Sequence, residues 1–299
     1  MSNQFKTQFL FIGISLIILL IFFYKLTKNN NDRIIKALKH ECDCFKDEIL
    51  YLSSNVNNEY FVQHNQKSYS INEKNLVLTC DLYKSLKRGP NQKIISYSLY
   101  GKDNRYYNLI PNLTLKVKEF FPDHVMRIYH NNSIDESFKC DLECTNSHVE
   151  FCNINKLSLN SKTFDNEFNL NYIHSMKWRF LPIGDSFVDL FMSRDLDSML
   201  LKREVDSVNQ WIDSKNLGHI MRDHYYHGHY MLGGMWGFKS CTNRLVISSQ
   251  IQNLFRQKDL VTALLEDMTL VVRRKVFIAV PSSVDRKITP TGKLAKFKF

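Results

Sequence analysis

The sequence predicts an α/β protein, with a mostly parallel sheet flanked by helices. From residue 93 onward, apolar runs of strand length alternate with segments of helical period, and this demands crossover connections between parallel strands. One of those runs, "FVDLFMS", leads into two aspartates one residue apart, Asp195 and Asp197, just ahead of an amphipathic helix. A third observation sets this region apart from what precedes it. "FLFIGISLIILLIFFY", from Phe9 to Tyr24, carries no charge.

That apolar run is the first element. A membrane helix needs about 20 apolar residues, with about 17 as a lower limit, and Gln8 and Leu26 extend this one. No small-x-small cleavage site follows it; Tyr-Lys-Leu-Thr-Lys does. Residues 1–26 therefore read as an uncleaved, single-pass transmembrane helix, with a cleaved signal peptide as the rival. A short span suits a thin bilayer such as that of the endoplasmic reticulum. Two signals disagree on orientation. Lys25, Lys28, Arg33, Lys36 and Lys39 follow the span, while Lys6 precedes it, so the positive-inside rule puts the large domain in the cytosol. The sequons Asn112-Leu113-Thr114 and Asn131-Asn132-Ser133 put it in the lumen of the endoplasmic reticulum or Golgi.

Residues 27–90 form a stalk and a less regular region. Ile34, Ile35, Leu38, Phe45, Ile49 and Leu52 recur at helical intervals and predict a helix. Residues 53–90 are polar and Asn-rich with one apolar run at 76–78, and "KRGPNQ" is a turn cluster that marks a boundary. Seven cysteines are scattered along the chain, an odd number that leaves one thiol over if the rest pair. Cys140, Cys144 and Cys152 suit either a local disulfide group or part of a metal site, although no fourth ligand stands at a suitable spacing.

The main domain is expected over residues 91–258. Strands are expected at 93–101, 124–130, 148–154 and 187–193, with helices at 108–122 and 176–185. In "SMLLKREVDSVNQWIDS", Leu201, Val205, Val208 and Ile212 follow the spacing of one helix face, and Asp197 or Ser198 is placed to cap that helix. Capping accounts for one aspartate but not for two. A solvated pair with Arg194 as partner is a second explanation. The third is a divalent cation site, since carboxylates at i and i+2 in a non-helical link supply hard oxygen ligands to magnesium or manganese. Ligands in open α/β sheets bind at this carboxyl edge of the strands.

Downstream, "HIMRDHYYHGHYMLGGMWGFK" holds four histidines, Asp223, and glycines at 233, 234 and 237. Those glycines suggest close backbone approach or a tight bend, and Met235 and Trp236 suit either a sugar-binding surface or the core. Residues 259–299 are a basic tail, with eight Lys/Arg against the single acid Asp285 from Arg273 onward. The net charge of +10 suits anionic partners. The basic residues lack periodic aromatic interleaving, which argues against nucleic acid. At 44% hydrophobic the chain is not disordered.

Taken in order, "IISYSLYG", "FMSRDLDS" and "MRDHYYHGHYMLGGMWG" resemble glycosyltransferases of the GT-A fold, and within them a group with RDxDS and MRDH…GGMWG segments. The resemblance covers about half the chain, residues 93–239. It implies a GT-A-like sheet and a nucleotide-sugar donor, with a glycan, lipid or protein as acceptor. Asp195 and Asp197 would hold the cation and the donor diphosphate. Tyr100 and Gly101 would lie near the nucleotide, Arg194 would contact sugar or phosphate, and Asp223 would serve as general base, with His224 as a metal or phosphate contact. The basic tail departs from the family pattern, and that opens a non-catalytic sugar- or partner-binding protein as the alternative. Another metal-dependent phosphate-ester enzyme is the third reading, although a two-metal site would call for more carboxylates.

Overall fold

The computed structural model describes residues 33–54, 59–64, 67–72, 76–157, 173–222, 232–242, 244 and 277–281. They fall into two compact units, Met1–Lys39 with Asp47–Lys74, and His40–Lys46 with Asn75–Phe299. Residues 9–24 lie outside the described residues, among which no helix is long and apolar enough to cross a membrane.

The smaller unit is an antiparallel meander of four strands in chain order, β1 (Arg33–Leu38), β2 (Ile49–Ser54), β3 (Glu59–His64) and β4 (Lys67–Asn72). Ile49, Val62 and Ile71 are buried while Leu50 and Phe61 are exposed, the alternation expected of strands with one covered face. This corrects the helix expected over residues 34–52. Its apparent period spans a break, because the loop between β1 and β2 carries Cys42 and Cys44, which are cross-linked elsewhere. Each half is instead a six-residue strand hydrogen-bonded to its neighbour.

The larger unit is mixed α/β, with a seven-stranded, parallel-rich sheet flanked by helices. Its strands are β5 (Gln92–Leu99), β6 (Val125–His130), β7 (Val149–Asn153), β8 (Val188–Arg194), β9 (Gly218–Arg222), β10 (Met235–Lys239) and β11 (Phe277–Pro281). Across the sheet the order is β11-β9-β10-β8-β5-β6-β7. Strands β8, β5, β6 and β7 run parallel, and β10 is antiparallel to both β8 and β9. The central strands β5, β6 and β8 are buried almost throughout, as covered parallel strands must be. Strand β11 pairs parallel with β9, so part of the expected tail is an edge strand of this sheet. Residues 76–90 also belong to this unit, and they carry helix α1 (Leu82–Arg88).

Helix α2 (Asn104–Phe120) starts at Asp103, whose side chain accepts from Arg105 N at 3.0 Å. Helix α3 (Glu136–Thr145), not anticipated from the sequence, starts at Asp135, which accepts from Phe138 N at 2.9 Å. Helix α4 (Lys202–Ile212) begins four residues later than expected. Leu201 is its N-cap and makes no side-chain capping bond, so neither Asp197 nor Ser198 caps it. One face of the sheet packs Ile95, Tyr97, Met126, Met192, Val208 and Trp211 with α2 and α4. The other packs Ile94, Tyr129, Phe180, Phe191 and Trp236 under a 3-10 helix, Ser175–Gly184.

Three disulfides, Cys42–Cys140, Cys44–Cys144 and Cys80–Cys152, replace the expected local group. Cys140 and Cys144 lie one turn apart on α3, so both face the loop that carries Cys42 and Cys44. Cys241 is free and exposed. Among the described residues, two acid-bearing clusters have metal-like spacing, His40/Cys42/Glu143 and Cys80/Glu150/Cys152, but their sulfurs are already in disulfides.

Near the amino ends of the parallel strands lies a buried ionic network. Arg127 is fully buried and donates to Glu150 at 2.5 Å, Asp185 at 3.1 Å and Gln92 at 2.7 Å. Arg88 takes the second oxygen of Glu150 at 2.8 Å, and Thr79 donates to Asp185 at 2.8 Å. Burial alone would raise the Glu150 pKa; Arg127 and Arg88 outweigh it and hold the carboxyl down to about 2.

Candidate functional site at the carboxyl edge of the sheet

Strand order reverses between β5 and β8, since β6 and β7 extend to one side of β5 and β10, β9 and β11 to the far side of β8. In such sheets the crevice at the carboxyl ends of the two central strands is where ligands bind. Tyr100 and Gly101 directly follow β5 there, and Asp195 directly follows β8. Gly101 has φ of 76°, a left-handed conformation that favours glycine, and its carbonyl accepts from the Tyr107 hydroxyl at 3.0 Å. The Tyr100 ring is exposed and stands edge-on to Trp178, with centroids 6.1 Å apart.

Beyond β8, Ser198 N donates to Asp195 O at 3.2 Å and closes a tight turn. The turn leaves Asp197 exposed and Asp195 half-buried. The Asp195 carboxylate is ion-paired with Arg179 of the 3-10 helix. Arg179 is anchored by its own backbone N–H, which donates to Ser98 Oγ on β5 at 2.9 Å. Its guanidinium also donates to Arg194 O at 3.3 Å. The Nε of Arg179 is buried and has no hydrogen-bond partner among the described residues.

The glycines at 233 and 234 close the site from the side of β10. The register pairs Arg194 with Met235, which sets Gly234 against Asp195. A Cβ on Gly234 would overlap the Asp195 carboxylate and come within 2.9 Å of the Asp195 backbone N. One on Gly233 would lie 2.7 Å from Arg179 Nη2. The turn is held from below, as the Gly233 carbonyl accepts from Ser193 Oγ at 2.5 Å and from Trp236 Nε1 at 3.1 Å. Gly237 is needed for a different reason, because a Cβ there would press on the Trp211 ring at 3.0 Å.

The expected site residues are only partly brought together. Asp195, Asp197, Tyr100 and Gly101 all lie at the carboxyl edge. Arg194 is buried, ion-paired with Glu204, and donates to Ser193 O at 2.7 Å and Trp236 O at 3.1 Å. Its side chain therefore braces β8, β10 and α4 and is not free for sugar or phosphate. Its partner on the same face, Tyr97, is fully buried, and burial pushes the phenol up. Asp223 and His224, with His227 and His229, lie outside the described residues. His219 is buried and stacked on Trp211, with centroids 5.3 Å apart, and burial pulls it down to about 3. Trp236 is core, packed on Phe180 and Phe191. Arg179 was not anticipated. Its signal was a single cation in the otherwise apolar "WRFLPIG".

No family model matches the sequence, and no curated protein matches it. Among solved structures, the apo structure of WbbM, a bifunctional glycosyltransferase, is similar over 64% of this chain at 13% identity and a TM-score of 0.38. The match spans 39% of that structure's chain.

Proposed function

We propose that this chain is a metal-dependent glycosyltransferase that moves a sugar from a nucleotide-sugar donor to an acceptor hydroxyl. The observation that carries the reading is the Asp195-x-Asp197 pair on a non-helical turn at the point where strand order reverses, beside the exposed Tyr100 ring. Asp197 does not cap the following helix and lies exposed on that turn. The resemblance of "FMSRDLDS" and "MRDH…GGMWG" to the GT-A group supports the same reading.

The residues present fit a magnesium or manganese ion. Two hard-oxygen carboxylates are available on one short turn, and Asp197 has its side chain in solvent. Asp197 would be the principal ligand, with Asp195 beside it. A bound cation would supply charge neutralisation for a departing nucleoside diphosphate. The chain's own residues would do the rest. The exposed Tyr100 ring would offer an aromatic face to a base or sugar ring, and Asp223 would take the acceptor's proton. Three disulfides support an oxidising compartment. With residues 9–24 as anchor, that favours a lumenal domain.

The test is manganese-dependent hydrolysis of a panel of nucleotide sugars by the wild type, Asp195→Ala and Asp197→Ala. Loss of activity in Asp197→Ala by at least about a hundredfold, with the melting curve retained, supports the reading. Full activity in both variants ends the cation assignment. One observation favours a second reading, a non-catalytic sugar or nucleotide binder: Asp195 already has a guanidinium as its counter-ion. Nucleoside-diphosphate binding without turnover of any donor would select it.

A further inference from the structure

The Arg179–Asp195 pair is built with more care than a bystander needs. An ion pair with half its partner in solvent contributes about 0–1 kcal/mol at most, yet position 234 has no room for a side chain against it, since a Cβ there would overlap the Asp195 carboxylate and lie 2.9 Å from its backbone N. Arg179 is only 11% exposed, and its Nε is a buried donor without a partner among the described residues. A buried guanidinium with an unused donor is poised to accept a further acceptor group. The carboxylate it occupies is one of the two that a divalent cation would use. Arg179 takes Oδ1 of Asp195 and Oδ2 is packed against Gly234, so a divalent cation that is to take this carboxylate must displace the guanidinium.

We propose that Arg179 is the resident counter-ion of Asp195 and that it exchanges partners on ligand binding: a divalent cation takes Asp195, and the released guanidinium takes a diphosphate oxygen. This rests on the transferase reading for its ligands but not on any turnover. Two consequences follow. Metal alone binds weakly, because it must expel an arginine into a site with nothing to receive it. Metal and diphosphate therefore bind with positive coupling, each raising the other's affinity by the same factor. The glycine turn packs directly against the pair. A Cβ at position 233 would lie 2.7 Å from Nη2.

Calorimetry with manganese alone, inorganic pyrophosphate alone, and each in the presence of the other tests the exchange. UDP and GDP serve as further arms, to tell a nucleotide from a bare diphosphate. In the wild type, saturating pyrophosphate is expected to tighten manganese by at least about tenfold. Arg179→Met is expected to tighten manganese alone and to weaken metal-free pyrophosphate, each by about tenfold or more. Asp195→Asn keeps the arginine and removes its competitor, so metal-free pyrophosphate should bind more tightly; this variant decides the matter if Arg179→Met does not fold. Unchanged or weaker manganese binding in Arg179→Met overturns the proposal, as does pyrophosphate binding that neither variant alters. The transferase reading fails separately. A protein that shows the exchange and transfers no sugar keeps the counter-ion and loses the enzyme, and one that transfers sugar with no coupling does the reverse.

Discussion

Position matters more than charge at the residue scale. Arg127 and Lys202 both pair with carboxylates, yet Arg127 is fully buried while Lys202 reaches Asp206 across one exposed helical turn. Replacing Arg127 by Met strands Glu150 and Asp185 in the interior, and the expected cost is about 3–5 kcal/mol. Lys202→Met is expected to cost under about 0.5 kcal/mol. Urea unfolding of the two variants measures the contrast, and equal losses would refute the structural role assigned to the buried network. The same distinction applies to Arg194. Adjacent to two aspartates in the chain, it looked available, but a strand alternates its faces. Its neighbour Asp195 meets the crevice while Arg194 turns to Glu204 on the other side.

Legibility at the element scale followed burial pattern. The parallel strands β5 to β8 were readable because near-continuous apolar runs bounded by turn residues admit few alternatives. Strands β9 and β10 were hidden by their polar members. His219 and Lys239 interrupt the pattern, yet His219 is buried on Trp211, and Lys239 donates to the carbonyls of Ile212 and Ser214 at 3.0 and 2.6 Å. Helix α3 had a readable start at Asp135 and a readable face in Cys140 and Cys144, but besides the cysteines only Phe138 and Leu142 mark its ten residues as amphipathic. Each of its two cross-links closes a long loop, with sequence separations of 98 and 100. Changing both Cys44 and Cys144 to Ser is expected to lower stability by about 2–5 kcal/mol, read as a fall in melting temperature. No fall would mean that the loop is held well enough without this bridge, by Cys42–Cys140 and by ion pairs such as Lys139 to Glu41 at 2.6 Å.

For the whole molecule, acid is the revealing variable. Burial holds His40, His124 and His130 down to about 4 and His219 to about 3. In the unfolded chain they take up protons near pH 6.5. Between those values the unfolded state binds more protons, so stability falls as pH falls. Glu41 and Glu150 add a second loss. Burial would raise them, but Lys84 and Lys139 on one and Arg127 and Arg88 on the other hold both at about 2. Their contribution is complete above the unfolded carboxylate value and drains away toward pH 2. The melting temperature is therefore expected to be level from pH 9 to 7, to decline from about 6.5 to 4, and to drop further below that. A level profile down to pH 4.5 would show that these histidines are reached by solvent. The architecture of the larger unit was visible in the sequence because it follows from period and order. The crevice was visible only as a pair of acids, since the cation paired with Asp195 comes from a 3-10 helix whose pattern marks no face.

The cross-links also impose a schedule on synthesis. Cys42 and Cys44 are made about a hundred residues before Cys140 and Cys144, roughly 5–20 s at ordinary translation speeds. Two adjacent thiols then meet two adjacent thiols, and the crossed pairing would close loops of nearly the same length. Chain entropy does not choose between the pairings; the spacing of Cys140 and Cys144 along the formed α3 favours one of them.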